Sequence, residues 1–150
     1  YSTGKKIVIN QYLLRDIPEE PGALTATFSH FDENTVLVTY NGRTFDIPYI
    51  RERAAYYGIT ADLEKFNVDL LHFSRRAWKK HLPNFRLATL EKYLLGIKRT
   101  TDVPSTLVPE FYETYLRTKN PGPLIPIVDH NKQDLISLAT IITRLWEEWQ

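Results

Sequence analysis

Apolar residues recur along the chain at two spacings, one typical of strands and the other of helices. β-branched and aromatic residues dominate positions 6–14 and predict a strand. The apolar run at 35–40 is bounded by polar residues, which predicts a short strand buried on both faces. A third short strand is predicted at 67–70.

Helices are predicted over most of the remaining chain. Apolar residues at helical spacing indicate helices over 19–31, 47–57, 71–81, 87–95, 110–118 and 125–149. Gly58 and Gly96 directly follow two of these helices, at the position where glycine commonly ends a helix. Strands that alternate with helices predict an α/β domain with a mostly parallel sheet, in which the first strand is antiparallel.

Composition limits the classes of protein to consider. A chain of 150 residues fits one domain, residues 1–150. It contains no cysteine, which excludes structural disulfides, a disulfide-linked partner, cysteine-ligated zinc and a cysteine nucleophile. No apolar run is long enough to span a bilayer and no signal peptide is recognisable, so we expect no membrane partner and a cytoplasmic location. The chain also lacks methionine, and we expect it to be part of a longer protein.

Charge is unevenly distributed, although the net charge is only +1. Residues 70–100 include eight basic side chains, which are Arg75, Arg76, Lys79, Lys80, Arg86, Lys92, Lys98 and Arg99. Glu91 is the one acid in this segment. The predicted helix at 71–81 lies in this basic segment. A basic helix can neutralise phosphates, and Trp78 within it can stack on single-stranded bases. The alternative is a solvated helix face with Trp78 in the core.

The first candidate site follows the strand at 35–40. The strand ends, Gly42 permits a tight turn, and Asp46 appears at the start of a helix. In open α/β sheets ligands bind beyond the carboxyl ends of strands, where a carboxylate suits a hard cation. The alternative is that Asp46 caps the helix. Asp69 also ends a strand, and for it a capping or hydrogen-bonding role is favoured over a metal.

The second candidate site lies in the last helix. His130 and Asp134 are four residues apart and therefore project from one helical face. Histidine suits proton abstraction near neutral pH. The alternative is a surface His–Asp pair. The neighbouring Asp129 does not share that face and is interpreted as a solvated or capping acid.

The two sites together resemble the metal-site motifs of DnaQ-like 3′→5′ exonucleases of the ribonuclease H-like superfamily. The segment Asn41-Gly42-Arg43-Thr44-Phe45-Asp46 resembles the second motif of that family, and His130-x-x-x-Asp134 resembles the third. The chain most resembles the bacterial YprB-type branch, through residues 38–48, 69–76, 94–97, 99, 102–104, 130, 131 and 134. The resemblance implies a three-layer α/β fold, with a mixed central sheet and helices on both faces.

The resemblance also implies a reaction, which is two-metal hydrolysis of phosphodiester bonds in single-stranded RNA or DNA with Mg²⁺ or Mn²⁺. Asp46 and Asp134 would be the metal ligands, and His130 would orient or deprotonate the attacking water. Residues expected to contact the nucleic acid are Asn41, Gly42, Arg43, Phe45, Arg75, Arg76, Lys79, Lys80 and Arg99.

The chain departs from the family pattern in two ways. Three residues separate His130 from Asp134, which is the spacing of the tyrosine variant, whereas the histidine variant has four. The Asp-x-Glu of the first motif is absent, and the acids Asp16, Glu19 and Glu20, which cluster upstream of Asp46, lie in a turn. We expect the first strand and its two acids to precede Tyr1, so that these 150 residues alone cut weakly or not at all. The alternatives are a non-catalytic nucleic-acid-binding domain of the same fold and a domain whose basic helix binds an acidic protein.

Overall fold

A parallel pair of strands carries the first candidate site. The computed structural model describes residues 6–60, 63, 67–99 and 103–150. Strands β1, Leu37–Thr39, and β2, Asn67–Asp69, pair in parallel, with Leu37 opposite Asn67 and Thr39 opposite Asp69. Because both strands end at the same edge of the sheet, the turn after β1 lies beside Asp69.

Helices make up most of the remaining described structure. They are α1 Glu20–Phe28, α2 Asp46–Tyr56, α3 Leu70–Trp78, α4 Leu87–Leu90, α5 Val108–Thr118 and α6 Ile125–Glu148. Short 3₁₀ turns at Ile17–Glu19, Ser105–Leu107 and Gly122–Leu124 lead into α1, α5 and α6. A π-helical turn, Glu91–Leu95, continues α4 and ends at Gly96, whose φ of 68° is left-handed.

The core joins α3, α4 and α6. It contains Leu70, Trp78, Leu90, Ile141 and Leu145, each at most 5% exposed. Partly buried residues of both strands pack against this cluster. The core therefore fixes α6, which carries His130 and Asp134, relative to the helices that follow the sheet.

The predicted helices and the α/β class are confirmed. Helix α2 begins within one residue of its predicted start, and Gly58 follows it with a left-handed φ of 67°. The prediction for 87–95 is met by α4 together with its π-helical continuation. A mostly helical chain around a short parallel sheet is consistent with a ribonuclease H-like fold.

The prediction of a strand at 6–14 is wrong. Within this segment one residue, Ile7, forms an isolated bridge, and residues 8–14 pair with no strand of the described part. The side chains of Ile7, Tyr12 and Leu13 are 67%, 44% and 47% exposed, so the apolar pattern does not mark a buried sheet face. Consequently the antiparallel strand of the expected mixed sheet is not seen among the described residues.

The prediction that β1 is buried on both faces is also wrong. All three residues of β1 are only partly buried. In the described structure β1 pairs with β2 alone, so it is an edge strand and not a central strand of a larger sheet.

Candidate functional site

The turn after β1 is held by one buried carboxylate. Asp69 is 4% exposed and accepts hydrogen bonds from the backbone N–H groups of Asn41 at 2.7 Å and Arg43 at 3.3 Å. It also accepts from the N–H of Leu71 at 3.1 Å and so caps α3. The predicted capping and hydrogen-bonding role of Asp69 is thereby confirmed. Asn41 adopts a left-handed φ of 61°, which asparagine tolerates better than most residues.

Gly42 is required in this turn by a close approach. A Cβ at Gly42 would lie 2.6 Å from the Cβ of Thr39, much closer than two carbons can pack. The carbonyl of Gly42 accepts a hydrogen bond from the N–H of Ile47 at 2.8 Å. The glycine therefore lets the chain fold back tightly enough to start α2.

Asp46 is presented to solvent at the start of α2. It is exposed, and its carboxylate has no hydrogen-bond or ion-pair partner among the described residues. The alternative that Asp46 caps the helix is not observed, because α2 begins at Asp46 itself and the cap position is Phe45. The helix N-terminus favours the negative charge of Asp46. Phe45 is 66% exposed, so both side chains are available to a ligand beyond the sheet edge.

A second group of side chains surrounds Arg99. The guanidinium donates to Glu91, with Nε to Oε2 at 2.5 Å and Nη2 to Oε1 at 2.7 Å. Its Nη2 also donates to Oδ1 of Asp134, and its Nη1 lies 3.0 Å from Nδ1 of His130. Nε2 of His130 lies 3.4 Å from Oδ2 of Asp134. Arg99 therefore joins both predicted residues of α6 to Glu91.

Arg99 also determines the tautomer of His130. A guanidinium can only donate hydrogen bonds, so Nδ1 of His130 must be the acceptor. In that tautomer the ring proton is on Nε2, which lies 3.4 Å from Oδ2 of Asp134. Hydrogen bonds from Arg99 to Glu91 raise the pKa of the guanidinium above its usual value, although burial opposes this shift.

Glu91 is the one fully buried acid of the group. Its exposed fraction is 0%, and it also accepts a hydrogen bond from Oγ of Ser137 at 2.5 Å. Gln133 donates in turn to Ser137 at 3.1 Å. A buried carboxylate is stable only when it is paired and hydrogen-bonded, and these contacts supply both conditions.

Glu91 was not predicted as a site residue, although the sequence contains a signal for it. Leu87, Leu90 and Leu94 recur at helical spacing and define the buried face of their helix. Glu91 lies on that same face, where an acid requires a cationic partner. The side chain of Arg99, expected to contact nucleic acid, is 11% exposed and is bonded to carboxylates.

Gln11 connects the N-terminal segment to this site and was not predicted either. Its Nε2 donates to the carbonyl of Val128 at 3.0 Å and to Oδ1 of Asn131 at 2.9 Å. These two residues flank the position of His130 in α6. The segment at 6–14 is thus attached to the start of α6 by a side chain.

The basic face of α3 is exposed. Arg75, Arg76, Lys79 and Lys80 are exposed and have no hydrogen-bond or ion-pair partner in the part of the chain that the structure describes. Trp78 is 5% exposed and donates from Nε1 to Glu148 at 3.3 Å, so it belongs to the core. Of the two alternatives for Trp78, a place in the core is confirmed and stacking on bases is not, whereas the cations remain open to an anionic ligand.

Comparison with known proteins agrees with the resemblance to the ribonuclease H-like superfamily. A model of the RNase H superfamily matches residues 1–146. This chain belongs to the RNase H superfamily. It is 35% identical over 140 residues to the uncharacterized protein YprB of Bacillus subtilis, covering 91% of this chain and 33% of that protein. No solved structure matches.

A second relative of this RNase H superfamily member is a polymerase component. The chain is 30% identical over 120 residues to the catalytic A subunit of DNA polymerase epsilon from Schizosaccharomyces pombe, covering 72% of this chain and 6% of that protein. The chain thus spans about a third of the length of the Bacillus relative and a small part of the polymerase.

RNase H-like nucleases generally use divalent metals, and the described residues fit such a site only in part. Within residues 6–60, 63, 67–99 and 103–150, no group of three or more histidine or acidic side chains is close enough to hold a metal ion. Asp46 and the His130–Asp134 pair therefore do not form a complete ligand set among these residues. No helix in the described ranges has the length and apolar character needed to cross a membrane.

Proposed function

We propose that this domain is a 3′→5′ exonuclease that hydrolyses phosphodiester bonds of single-stranded nucleic acid. The RNase H-like superfamily and the similarity to a polymerase catalytic chain suggest a nuclease-type function. The observation that carries the finer proposal is the pairing of His130 with Asp134 on one face of α6, with Nε2 of the imidazole 3.4 Å from Oδ2.

Asp46 and Asp134 are the proposed acidic groups of the reaction centre. Asp46 is exposed and unbonded among the described residues, while Asp134 is 30% exposed and held by Arg99. Two carboxylates do not complete a two-cation site. We therefore propose Mg²⁺ or Mn²⁺ as the cofactor on the condition that further acids also bind it. The Asp-x-Glu of a first motif would supply these acids. Residues 1–150 are proposed to be one domain of a cytoplasmic protein.

His130 is proposed to orient or deprotonate the attacking water once one of its ring nitrogens is released from its contact with Arg99 or Asp134. In the observed arrangement its Nδ1 accepts from Arg99 and its Nε2 carries the ring proton of that tautomer, so neither nitrogen can accept a proton. For His130 to act as a general base, Arg99 must first release Nδ1. Phe45, which is 66% exposed, and Asn41 are proposed to hold the terminal nucleotide.

The direction of cleavage is tested with end-blocked substrates. A form of the protein that includes a first-motif strand is incubated with Mg²⁺ or Mn²⁺ and a 5′-labelled single strand of RNA or DNA. The proposal predicts progressive shortening from a free 3′ end and no shortening when the 3′ end is blocked. Internal cuts in the 3′-blocked strand would overturn the exonuclease assignment and leave a nuclease of another kind.

A non-catalytic nucleic-acid-binding domain is the second candidate. It is favoured by the lack of a three-ligand cluster among the described residues. The same experiment separates the two, because a binding domain retains the labelled strand intact at every metal concentration.

A further inference from the structure

A groove of about 620 Å³ opens beside the turn after β1. Tyr40 and Asn41 form one side of it, Phe85 and Arg86 lie on the facing segment, and Arg75 reaches it from α3. The groove therefore starts at the same turn that leads to the exposed Phe45 and Asp46.

Hydrogen bonds fix the segment at 84–89 and join it to the Tyr40 side of the groove. The Tyr40 hydroxyl donates to the carbonyl of Phe85 at 2.8 Å across the two sides. Burial raises the pKa of this phenol well above its usual value, so it remains a neutral donor. Asn84 accepts from the N–H of Arg86 at 3.1 Å and from the hydroxyl of Thr89 at 2.7 Å. The groove is thus preformed in the absence of a ligand.

Two arginines give the groove its charge. Arg75 and Arg86 are both exposed and lack a hydrogen-bond or ion-pair partner within the described ranges. Among the residues that the structure describes, no acid lines the groove. Unpaired guanidinium groups suit phosphate oxygens, which they bind with two parallel hydrogen bonds.

The groove also offers contacts for bases. Phe85 is partly buried and packs against the core, and the partly buried Leu87 contributes further apolar surface to the groove. Aromatic and apolar surface next to cations is the combination that single-stranded nucleic acids use, because every base has a stacking face. The acidic side chains of a protein would pair with the cations but would not cover this apolar surface, whereas a base would.

We propose that this groove binds the single-stranded polynucleotide upstream of the reacting end, with Arg75 and Arg86 on successive phosphates and Phe85 against a base. Arg86 was not among the residues that the sequence predicted to contact nucleic acid. The assignment divides the basic surface into a substrate groove and the remaining exposed face of α3. The assignment rests on the proposed function, since it places the strand that the reaction centre would shorten.

Binding is measured without metal, so that no hydrolysis interferes. The chain is titrated with EDTA present into a fluorescein-labelled single strand of about 12 nucleotides, as DNA and as RNA, and anisotropy is recorded. Arg75→Ala and Arg86→Ala are each expected to weaken binding about tenfold and to reduce the salt slope by about 0.7, the value for one phosphate contact on a single strand. Arg86→Lys is expected to keep the salt slope but bind less tightly, because it retains the charge without the paired donors.

Arg117→Ala is the matched control. Arg117 is an exposed arginine of α5 that does not line the groove, so its removal changes the net charge equally. We expect less than about a twofold effect, because distant surface charges are screened by salt. Circular dichroism confirms that each variant is folded.

The outcomes separate this inference from the proposed function. If the wild type binds the strand and the groove variants behave like Arg117→Ala, the groove assignment is overturned and the nuclease proposal stands. If the wild type binds no single strand at any salt concentration, both fail. If polyglutamate binds as tightly as the oligonucleotide with the same dependence on Arg75 and Arg86, the assignment to nucleic acid is overturned.

Discussion

The guanidinium of Arg99 holds the fully buried carboxylate of Glu91 with two hydrogen bonds, at 2.5 and 2.7 Å. The same guanidinium also donates to Asp134. Glu91, a buried acid that was not predicted as a site residue, therefore fixes the position of Arg99 beside Asp134. Ser137, which lies in α6 itself, also donates to Oε1 of Glu91. The carboxylate therefore connects the end of α4 to the helix that carries the candidate reaction centre.

Removal of the Glu91 charge is expected to destabilise the fold strongly. Glu91→Gln leaves Arg99 without its main anionic partner, and breaking one side of a buried ion pair costs roughly 3 to 5 kcal/mol. Urea denaturation measures the change in the free energy of unfolding. Glu147→Gln is the control, because Glu147 and Arg144 are 57% and 56% exposed and their pair contributes less than about 1 kcal/mol. Equal losses in the two variants would contradict a special role for Glu91.

Two glycines are expected to respond to alanine in opposite directions. Gly42→Ala places a Cβ 2.6 Å from the Cβ of Thr39, and such overpacking costs about 1 to 3 kcal/mol. Gly22→Ala places its Cβ in open space within α1, where alanine stabilises a helix by about 0.5 to 1 kcal/mol. Thermal unfolding of both variants checks the signs. A Gly42→Ala protein that melts at or above the wild-type temperature would show that the turn can relax.

The turn after β1 and its position were predictable from the sequence, because the residues of the turn itself determine both. An apolar run followed by Asn41 and Gly42 indicates where β1 stops, and Gly58 indicates where α2 stops. The His130–Asp134 pair was likewise predictable, since helical spacing alone places both residues on one face.

Long-range pairing was not predictable in the same way. Arg99, the partner of Glu91, lies eight positions further along the chain and beyond the left-handed Gly96. Helical spacing therefore does not bring the two side chains together. The segment at 6–14 has the composition of a strand, but strand formation depends on a neighbouring backbone that the segment itself does not encode. Whether Trp78 faced bases or the core depended on the packing of α3 against α6.

Two acids near the turn after β1 are expected to differ in how much they contribute to stability. Asp69→Asn replaces one of the two oxygens that accept backbone N–H groups, which places an amide against the N–H of Arg43 and costs about 1 to 3 kcal/mol. Asp46→Asn changes an exposed side chain and is expected to stay within about 0.5 kcal/mol of the wild type. Chemical denaturation measures both. A large loss of stability in Asp46→Asn would mean that this acid supports the fold rather than the reaction.

The ion pair between α1 and α2 is expected to make stability depend on pH in the acidic range. Hydrogen bonds from Arg53 lower the pKa of Glu20 below its ordinary value of 4.5, so the folded state favours the charged form. The resulting stability is present above about pH 4.5 and is lost as the pH falls through the lower folded pKa. The stability difference between wild type and Glu20→Gln should therefore shrink as the pH falls from 5 to about 3. A difference that is constant over this range would exclude Glu20 as a contributor to the acid response.

Exonuclease activity of two matched aspartate variants of α6 tests the central claim most directly. Asp134 bonds to Arg99 and faces His130, whereas Asp129 is exposed on a different face of the same helix. Shortening of a single strand is measured in Mg²⁺ with a form of the protein that includes a first-motif strand. Asp134→Asn is expected to lower the rate about 100-fold or more, while Asp129→Asn stays near the wild type. Equal rates in Asp134→Asn and Asp129→Asn would contradict the placement of the reaction centre at His130 and Asp134.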